Sequence, residues 1–202
     1  MNKTKRSIME AAIETIMELG FAQASIGQIA KRAGISKGVI TYHFPSKDEL
    51  IDFIVTELYT DGAEFLSQIM QEQTASGMLR SYIESNLAFI RTNPRHVAAV
   101  AEIILNMRTE DGKLRYVGLN DDPILVPLIE IIQWGQREGE FREFTDFGAK
   151  VLAMTIRGTI DGTASLMMSD PRFDFDLYTA ELITLFERAT CKMGEGNHKE
   201  DK

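Results

Sequence analysis

The 202-residue chain has a single cysteine and lacks any apolar run long enough to cross a membrane. One thiol, Cys191, excludes an intrachain disulfide and is typical of a reducing cytoplasm, where we expect it to be buried and inert. A membrane-spanning helix needs about 20 apolar residues, so no membrane partner is predicted. The N-terminal segment MNKTKRSIMEAA has basic residues without an apolar core. We therefore expect no secretion signal and a cytoplasmic location.

The chain also lacks the short motifs of common enzyme families. It contains no Gly-x-Ser-x-Gly elbow, phosphate-binding loop, dinucleotide fingerprint or His-Glu-x-x-His pair. Its three histidines, His43, His96 and His198, do not have the spacing of metal ligands. We expect no catalytic residue, no metal site and no cofactor, and hence a protein that is not an enzyme.

Strand-like alternation is missing as well, and apolar residues recur at helical spacing along almost the whole chain. The pattern predicts an all-α fold of about nine helices, separated by capping residues, glycines and prolines. Residues 108–122 are predicted to be a mobile loop, and residues 194–202 a disordered tail. The predicted helices cover about 5–19, 26–33, 37–44, 47–74, the segment from the Ser76-Gly77 break to 92, the segment from the Asn93-Pro94 break to 107, the segment from Pro123 or Pro127 to 139, 145–169 and 174–193.

Negative charge is the majority, but it is unevenly distributed. The net charge is −8, yet residues 1–47 contain seven Lys or Arg and three Glu, which gives +4 and leaves −12 for the remainder. A basic N-terminal head attracts phosphate, whereas an acidic body is repelled by it. The distribution therefore favours nucleic acid as a partner of the head, with the body pointing away.

Residues 25–44 (SIGQIAKRAGISKGVITYHF) predict two short helices joined by a tight turn. Ser25 and Gln28 form a capping box, and the Ala30-x-x-x-Gly34 spacing allows close helix approach and then a turn. The second helix is capped by Ser36, and Val39 and Ile40 are expected to face inward. A short polar helix of this kind fits the DNA major groove. The side chains and backbone expected at bases and phosphates are those of Lys37, Gly38, Thr41, Tyr42 and His43.

Two simpler interpretations of this segment exist. An unrelated three-helix bundle would also expose a few polar residues. His43, which is adjacent to Phe44, could be a half-buried structural residue without any contact to DNA.

The segment from Ile8 to Leu50, IMEAAIETIMELGFAQASIGQIAKRAGISKGVITYHFPSKDEL, resembles the N-terminal domain of the tetracycline-repressor (TetR) family of bacterial transcription regulators. The resemblance implies a helix-turn-helix domain over 1–46 (motif 25–44) and a helical effector-binding and dimerisation domain over 47–193. The chain departs from the family at Thr41, where tyrosine is usual, which leaves the operator sequence unpredicted. The implied DNA contacts are Lys37, Gly38 and Thr41 at bases, Tyr42, His43 and Lys47 at phosphates, and Ser25, Gln28 and Ser36 near the backbone.

In that family the body forms a dimer, and the segment 160–171 (IDGTASLMMSDP) resembles its eighth helix. Gly158, Gly162 and Ser165 lie on one face of this predicted helix and would let a second helix approach closely. Two glycines within a helix cost about 1 kcal/mol each relative to alanine, so a packing gain should offset them. We predict a homodimer through helices 8 and 9. The alternative is close packing within one subunit.

The resemblance also implies a small-molecule cavity in the body. Glu102 lies in the otherwise apolar run VAAVAEIILNM, where it is either a pocket carboxylate or part of a solvated strip with Arg95, Ala99 and Asn106. Each apolar candidate is alternatively an ordinary core residue. The apolar and aromatic candidates are Phe65, Tyr82, Phe89, Met107, Trp134 and Met154.

The sequence thus predicts a homodimeric repressor that binds a palindromic operator and leaves it when a small molecule binds the body. An activator, or a regulator without an effector, would share the same sequence features. A helical ligand-binding protein that does not bind DNA is the remaining alternative.

Overall fold

The computed structural model describes residues 2–69, 72–116 and 125–192, and all regular secondary structure within those ranges is helical. Two isolated bridges, Arg108–Leu114 and Phe141–Cys191, are the exceptions to the helical pattern there. The prediction of an all-α fold is confirmed. The helices of the described ranges are α1 (Lys3–Leu19), α2 (Ile26–Ala33), α3 (Lys37–His43), α4 (Lys47–Ile69), α5 (Ala75–Thr92), α6 (Pro94–Asn106), α7 (Val126–Arg137), α8 (Asp146–Ser169) and α9 (Phe175–Thr190).

The first three helices end and begin at the residues that local chemistry favours. Gly20 ends α1 with φ +80°, and Gly34 ends α2 with φ +66°, a region that disfavours any side chain. At the start of α2 the Ser25 hydroxyl accepts from the Gln28 N–H while the Gln28 side chain accepts from the Ser25 N–H. The predicted capping box is therefore present, and it fixes where α2 starts.

The predicted boundary between α4 and α5 is wrong. Ser76 and Gly77 do not interrupt a helix but lie in the first turn of α5, with Thr74 as its N-cap at 3.0 Å from the Gly77 N–H. The carboxylate of Glu140 accepts from the N–H groups of Ala75 and Ser76, each at 3.0 Å. A helix start capped by a carboxylate 65 residues away cannot be inferred from local sequence.

Helix α3 lies on the surface of the head. Ile40 is its buried residue, and Val39 is 37% exposed. The prediction that Val39 faces inward is wrong, because a seven-residue helix that packs on α2 presents only a narrow face to the core. Most of α3 is therefore free for another molecule.

Head and body share one apolar core. Helix α1 packs on α2 and also on α6, and α5 packs against α4, α7, α8 and α9. A side chain at Gly135 of α7 would overlap the Phe141 ring, so glycine is required at this crossing. The buried apolar residues form one continuous cluster from Ile8 to Phe186. The head is thus mounted directly on the body through α1 and α6.

Two predicted irregular segments lie partly or wholly outside the described residues. Of the predicted loop over 108–122, residues 108–116 are described and include the Arg108–Leu114 bridge. The predicted tail over 194–202 lies outside them. Cys191 is exposed, so the prediction of a buried thiol is wrong; the residue comes just after the last turn of α9.

Candidate nucleic-acid interface and effector body

The outer face of α3 carries the residues predicted to contact bases. Lys37, Gly38, Thr41 and Tyr42 are exposed, and the exposed fraction of Tyr42 is 84%. The Thr41 hydroxyl donates to the carbonyl oxygens of Lys37 and Gly38, each at 3.2 Å, so its hydrogen bonds are made within α3. Val39 adds an exposed apolar side chain to this helix, a contribution that the sequence interpretation missed.

Lys37 lies across the start of α2. A Cβ atom at Gly27 would lie 2.8 Å from Lys37 Cε and 3.2 Å from its Nζ, so the missing side chain at Gly27 makes room for the lysine stem. The ammonium group is thereby held beside the helix start that Ser25 and Gln28 cap. Free backbone N–H groups at a helix N-terminus favour phosphate, and a nearby cation adds to that preference. The sequence signal for this contact is Gly27, a glycine that lies inside the capping box at a position where no turn requires one.

His43 is half-buried, and its ring lies 5.1 Å from that of Tyr42 in an edge-to-face arrangement. The contact restricts the Tyr42 ring, whose hydroxyl is free to reach a phosphate. His43 is thus packed against the side chain of its exposed neighbour Tyr42.

Lys47 does not point toward the surface of α3. Its Nζ donates to the Phe21 carbonyl oxygen at 3.0 Å and lies 4.5 Å above the Phe21 ring. Burial lowers the pKa of Lys47, and Asp48 partly opposes that shift. This geometry differs from the phosphate contact predicted for Lys47, because the ammonium group already bonds within the protein.

Other cations of the head are also engaged internally. Arg32 pairs with Glu18 and donates to the Thr15 hydroxyl at 3.1 Å. Lys5 lies 5.3 Å from the centre of the Phe44 ring. The +4 charge of the head therefore overstates the number of cations available to DNA.

Glu102 of α6 faces the head. Its Oε1 accepts from the Phe21 N–H at 3.3 Å, and Arg95 of the same helix pairs with Glu14 of α1. Ala99, between them, is fully buried. Of the predicted solvated strip, Arg95 and Asn106 are exposed, whereas Ala99 is buried and Glu102 is half-buried at the contact between α6 and α1. The carboxylate of Glu102 bonds to the α1–α2 turn, which differs from the pocket position predicted for it.

The apolar pocket candidates divide into two groups. Tyr82, Phe89 and Met107 are buried, and Trp134 is partly buried against the same core. Met154 is 43% exposed on α8, on the outside of the protomer, which departs from its predicted pocket position. The Phe65 side chain lies outside the described residues.

A polar network that sequence reasoning missed lies beside Tyr82. Arg157 of α8 donates to the Asn86 amide oxygen at 3.1 Å and to the Tyr82 hydroxyl at 3.4 Å, and it pairs with Asp161 one turn later. Burial alone would lower the pKa of Arg157, but Asp161 and Tyr82 raise it further than burial lowers it. The guanidinium therefore stays charged inside the body and ties α8 to α5.

The predicted small-residue face of α8 is open in the protomer. Gly158, Gly162 and Ser165 are exposed, and a Cβ atom at either glycine would meet no atom within 4 Å. Val151 and Leu166, at helical spacing on the same face, are 47% and 45% exposed. Close packing within one subunit does not explain these glycines among the residues that the structure describes.

Two kinds of feature are absent from the described ranges. They contain no group of three or more His, Cys, Asp or Glu side chains placed to hold a metal ion. None of their helices is both long and apolar enough to cross a membrane.

Comparison with known proteins agrees with this arrangement. Residues 8–53 match the family model described as "Bacterial regulatory proteins, tetR family". The Fatty acid metabolism regulator protein of Bacillus subtilis is 28% identical over 83% of this chain and 85% of its own length. The HTH-type transcriptional regulator BetI 1 of Chromohalobacter salexigens is 33% identical, but the match spans 41% of this chain and less than half, 42%, of that protein.

Solved structures share the fold. The regulator FadR of Bacillus subtilis in complex with stearoyl-CoA aligns with a TM-score of 0.69 and 24% identity, over 89% of this chain and 96% of that one. AibR in complex with isovaleryl coenzyme A and operator DNA aligns with a TM-score of 0.76 and 17% identity, over 91% and 97%. The match over residues 8–53, the exposed α3 and the all-helical body agree: residues 8–53 are similar to the bacterial regulatory proteins of the tetR family, and the chain shares the fold of the solved regulators.

Proposed function

We propose that the protein is a homodimeric repressor that binds a palindromic operator through α3 and leaves it when a fatty-acyl thioester of coenzyme A binds the body. The observation that carries the proposal is the outward face of α3, a short helix with one buried residue and an aromatic side chain 84% exposed. Such a regulator acts on the chromosome in the cytoplasm and catalyses no reaction.

The DNA contacts of the proposal are those predicted from the sequence, with Lys47 removed and Val39 added. Lys37, Gly38 and Thr41 would meet bases in the major groove, Tyr42 and His43 would meet phosphates, and Ser25, Gln28 and Ser36 would lie near the DNA backbone. Lys47 is removed from this set because its ammonium group bonds to Phe21. Val39, exposed on the same helix, is added as an apolar contact to a thymine methyl group.

Dimerisation would use the open face of α8 together with α9. Gly158 and Gly162 allow a partner helix to approach, and the exposed side chains of Val151 and Leu166 would be covered by it. Leu177 and Leu185 of α9 are 58% and 59% exposed and would be covered as well. Two-fold symmetry would then present two copies of α3 to half-sites about 34 Å apart, one turn of DNA.

The effector class rests on the relative whose match covers most of this chain, a regulator of fatty acid metabolism, and on the acyl-CoA named with two structures of the same fold. Inside the body, Tyr82, Phe89 and Met107 are buried apolar side chains, and Arg157 is a cation beside Tyr82. An acyl chain would suit the former. A ligand releases DNA only if it binds the DNA-incompetent state more tightly.

We expect α4 to transmit a change in the body to the head, because several residues of the body contact it. Asp52 of α4 pairs with Arg115 and accepts from the Tyr116 hydroxyl, both from the segment that follows α6. His96 of α6 bonds to the Ile54 carbonyl oxygen at 3.1 Å. A ligand that shifts the segment after α6 would therefore pull on α4 near its first turns.

The test uses the full-length protein and the duplex that it selects from a random-sequence library. Fluorescence anisotropy then follows that duplex during titration with stearoyl-CoA, with isovaleryl-CoA and free coenzyme A as comparisons. We expect stearoyl-CoA to release the duplex at concentrations where free coenzyme A does not. A duplex that stays bound under all three would contradict the acyl-thioester proposal and favour an effector-independent regulator. A protein that selects no duplex would contradict the whole proposal.

A further inference from the structure

We propose that Glu102 is a positioning residue for DNA binding: together with Lys47 it clamps the α1–α2 turn at Phe21 and thereby fixes the head on the body. This inference rests on the proposed function, since it concerns how the DNA-reading head is held. It assigns to Glu102 a role distinct from the pocket carboxylate predicted from the sequence.

The clamp acts on both backbone polar groups of one residue. The Phe21 N–H donates to Glu102 Oε1 at 3.3 Å, and the Phe21 carbonyl oxygen accepts from Lys47 Nζ at 3.0 Å. The Phe21 ring lies under the same ammonium group, 4.5 Å away. Two opposite charges thus hold one residue from two sides, which fixes both the position and the direction of the turn.

The three parts of the clamp come from three parts of the molecule. Glu102 belongs to α6 of the body, Phe21 to the turn that leads into α2, and Lys47 to the first turn of α4, four residues after the end of α3. A rotation of the head relative to α6 would lengthen the hydrogen bond from the Phe21 N–H to Glu102. A shift of α4 would lengthen the Lys47 bond. The relative position of α3 and α6 therefore depends on the two hydrogen bonds of Phe21.

Neighbouring contacts hold the α1–α2 turn in one conformation. Gly20, with φ +80°, ends α1, and the N–H groups of Gln23 and Ala24 both donate to its carbonyl oxygen. The Arg95–Glu14 pair adds a second, exposed contact between α6 and α1. Exposed pairs contribute little to stability, so we assign the alignment of the head to the partly buried Phe21 contacts.

Glu102→Ala separates positioning from charge. Loss of a carboxylate makes the protein less negative, which by itself would strengthen binding to any duplex. Loss of the clamp should instead weaken binding to the selected duplex alone. A hydrogen bond to a charged group suggests a drop of about tenfold. Glu102→Gln keeps an acceptor oxygen and should stay within about threefold of the wild type, since neutral bonds are roughly half as strong.

The control is Glu140→Ala, which removes a carboxylate that caps α5 within the body. We expect it to lower the melting temperature without changing the ratio of affinities for selected and scrambled duplexes. If Glu102→Ala changes that ratio no more than Glu140→Ala does, or increases affinity for the selected duplex, the positioning role is wrong.

A second readout does not depend on DNA. Spin labels at Glu10→Cys, on the exposed side of α1 and in a Cys191→Ser background, report the distance between the two heads of the dimer. Glu102→Ala should broaden that distance distribution, and an unchanged distribution would overturn the inference. Should the wild type select no duplex, the proposed function fails, while the label distances still decide whether Glu102 positions the head.

Discussion

Tyr42 and Lys37 show at the residue scale why the outer face of α3 is assigned to DNA. An aromatic side chain with 84% of its surface exposed contributes nothing to the core. The Lys37 side chain occupies the space beside Gly27 at the start of α2, where backbone N–H groups also favour an anion. The two side chains therefore make sense together as parts of a surface that meets phosphates and bases.

Replacing either residue should weaken DNA binding and leave assembly unchanged. We expect Lys37→Ala to cost roughly 1–3 kcal/mol of binding free energy if it contacts a base, and Tyr42→Ala about 1 kcal/mol. Anisotropy with the selected duplex measures the loss, and sedimentation measures the dimer.

Arg137→Ala is the matched control, since it removes an exposed cation from α7 of the body. It should change affinity much less than Lys37→Ala does. Loss of the dimer in Lys37→Ala or Tyr42→Ala would place these residues in an interface between subunits instead.

Lys47 and Glu102 mark the limit of sequence reasoning at this scale. The sequence places Lys47 at a family position for phosphate contact, and it places Glu102 in a pocket or on the surface. Their partner, Phe21, is 26 residues from one and 81 from the other. Local pattern carries no information about such contacts, because they depend on how α1, α4 and α6 pack.

At the element scale, helix ends that depend on neighbouring residues were predictable. The capping box at Ser25 and Gln28 and the glycine turn at Gly34 lie where the sequence predicts them. The start of α5 was not, because it is completed by Glu140 from the segment between α7 and α8. Local capping chemistry thus fixes most helix ends, and tertiary contacts fix the rest.

Helix α8 supplies the element-scale prediction. Gly162→Leu should disrupt the dimer, since its side chain would occupy the space that a partner helix needs. Among the described residues, no atom outside the helix's own backbone lies within 4 Å of a Cβ atom placed at Gly162, and leucine favours helix over glycine by somewhat less than 1 kcal/mol. Overpacking of about 1–3 kcal/mol would raise the dimer dissociation constant by roughly tenfold or more, measured by sedimentation.

Glu130→Leu is the control for added surface leucine, on the exposed side of α7. It should leave the dimer intact. Circular dichroism should show full helicity for both variants. A Gly162→Leu protein that stays as dimeric as Glu130→Leu would contradict the role of this face.

At the scale of the whole molecule, the charge division follows the fold only in part. The basic head and acidic body were evident from the sequence. The structure adds that several head cations are engaged internally and that α1 packs directly on α6, so head and body share one core. A body that changes shape can therefore move the head without a flexible linker.

The most direct test of the central claim is the salt dependence of binding to the selected duplex. The account predicts that the logarithm of the association constant falls steeply and linearly with the logarithm of salt concentration, with a slope near −0.9 for each phosphate contacted. Lys37→Ala should make the slope shallower by about one for each subunit if its ammonium group, held beside the start of α2, neutralises a phosphate. A flat salt dependence, or equal affinity for selected and scrambled duplexes, would contradict a protein that reads DNA through α3.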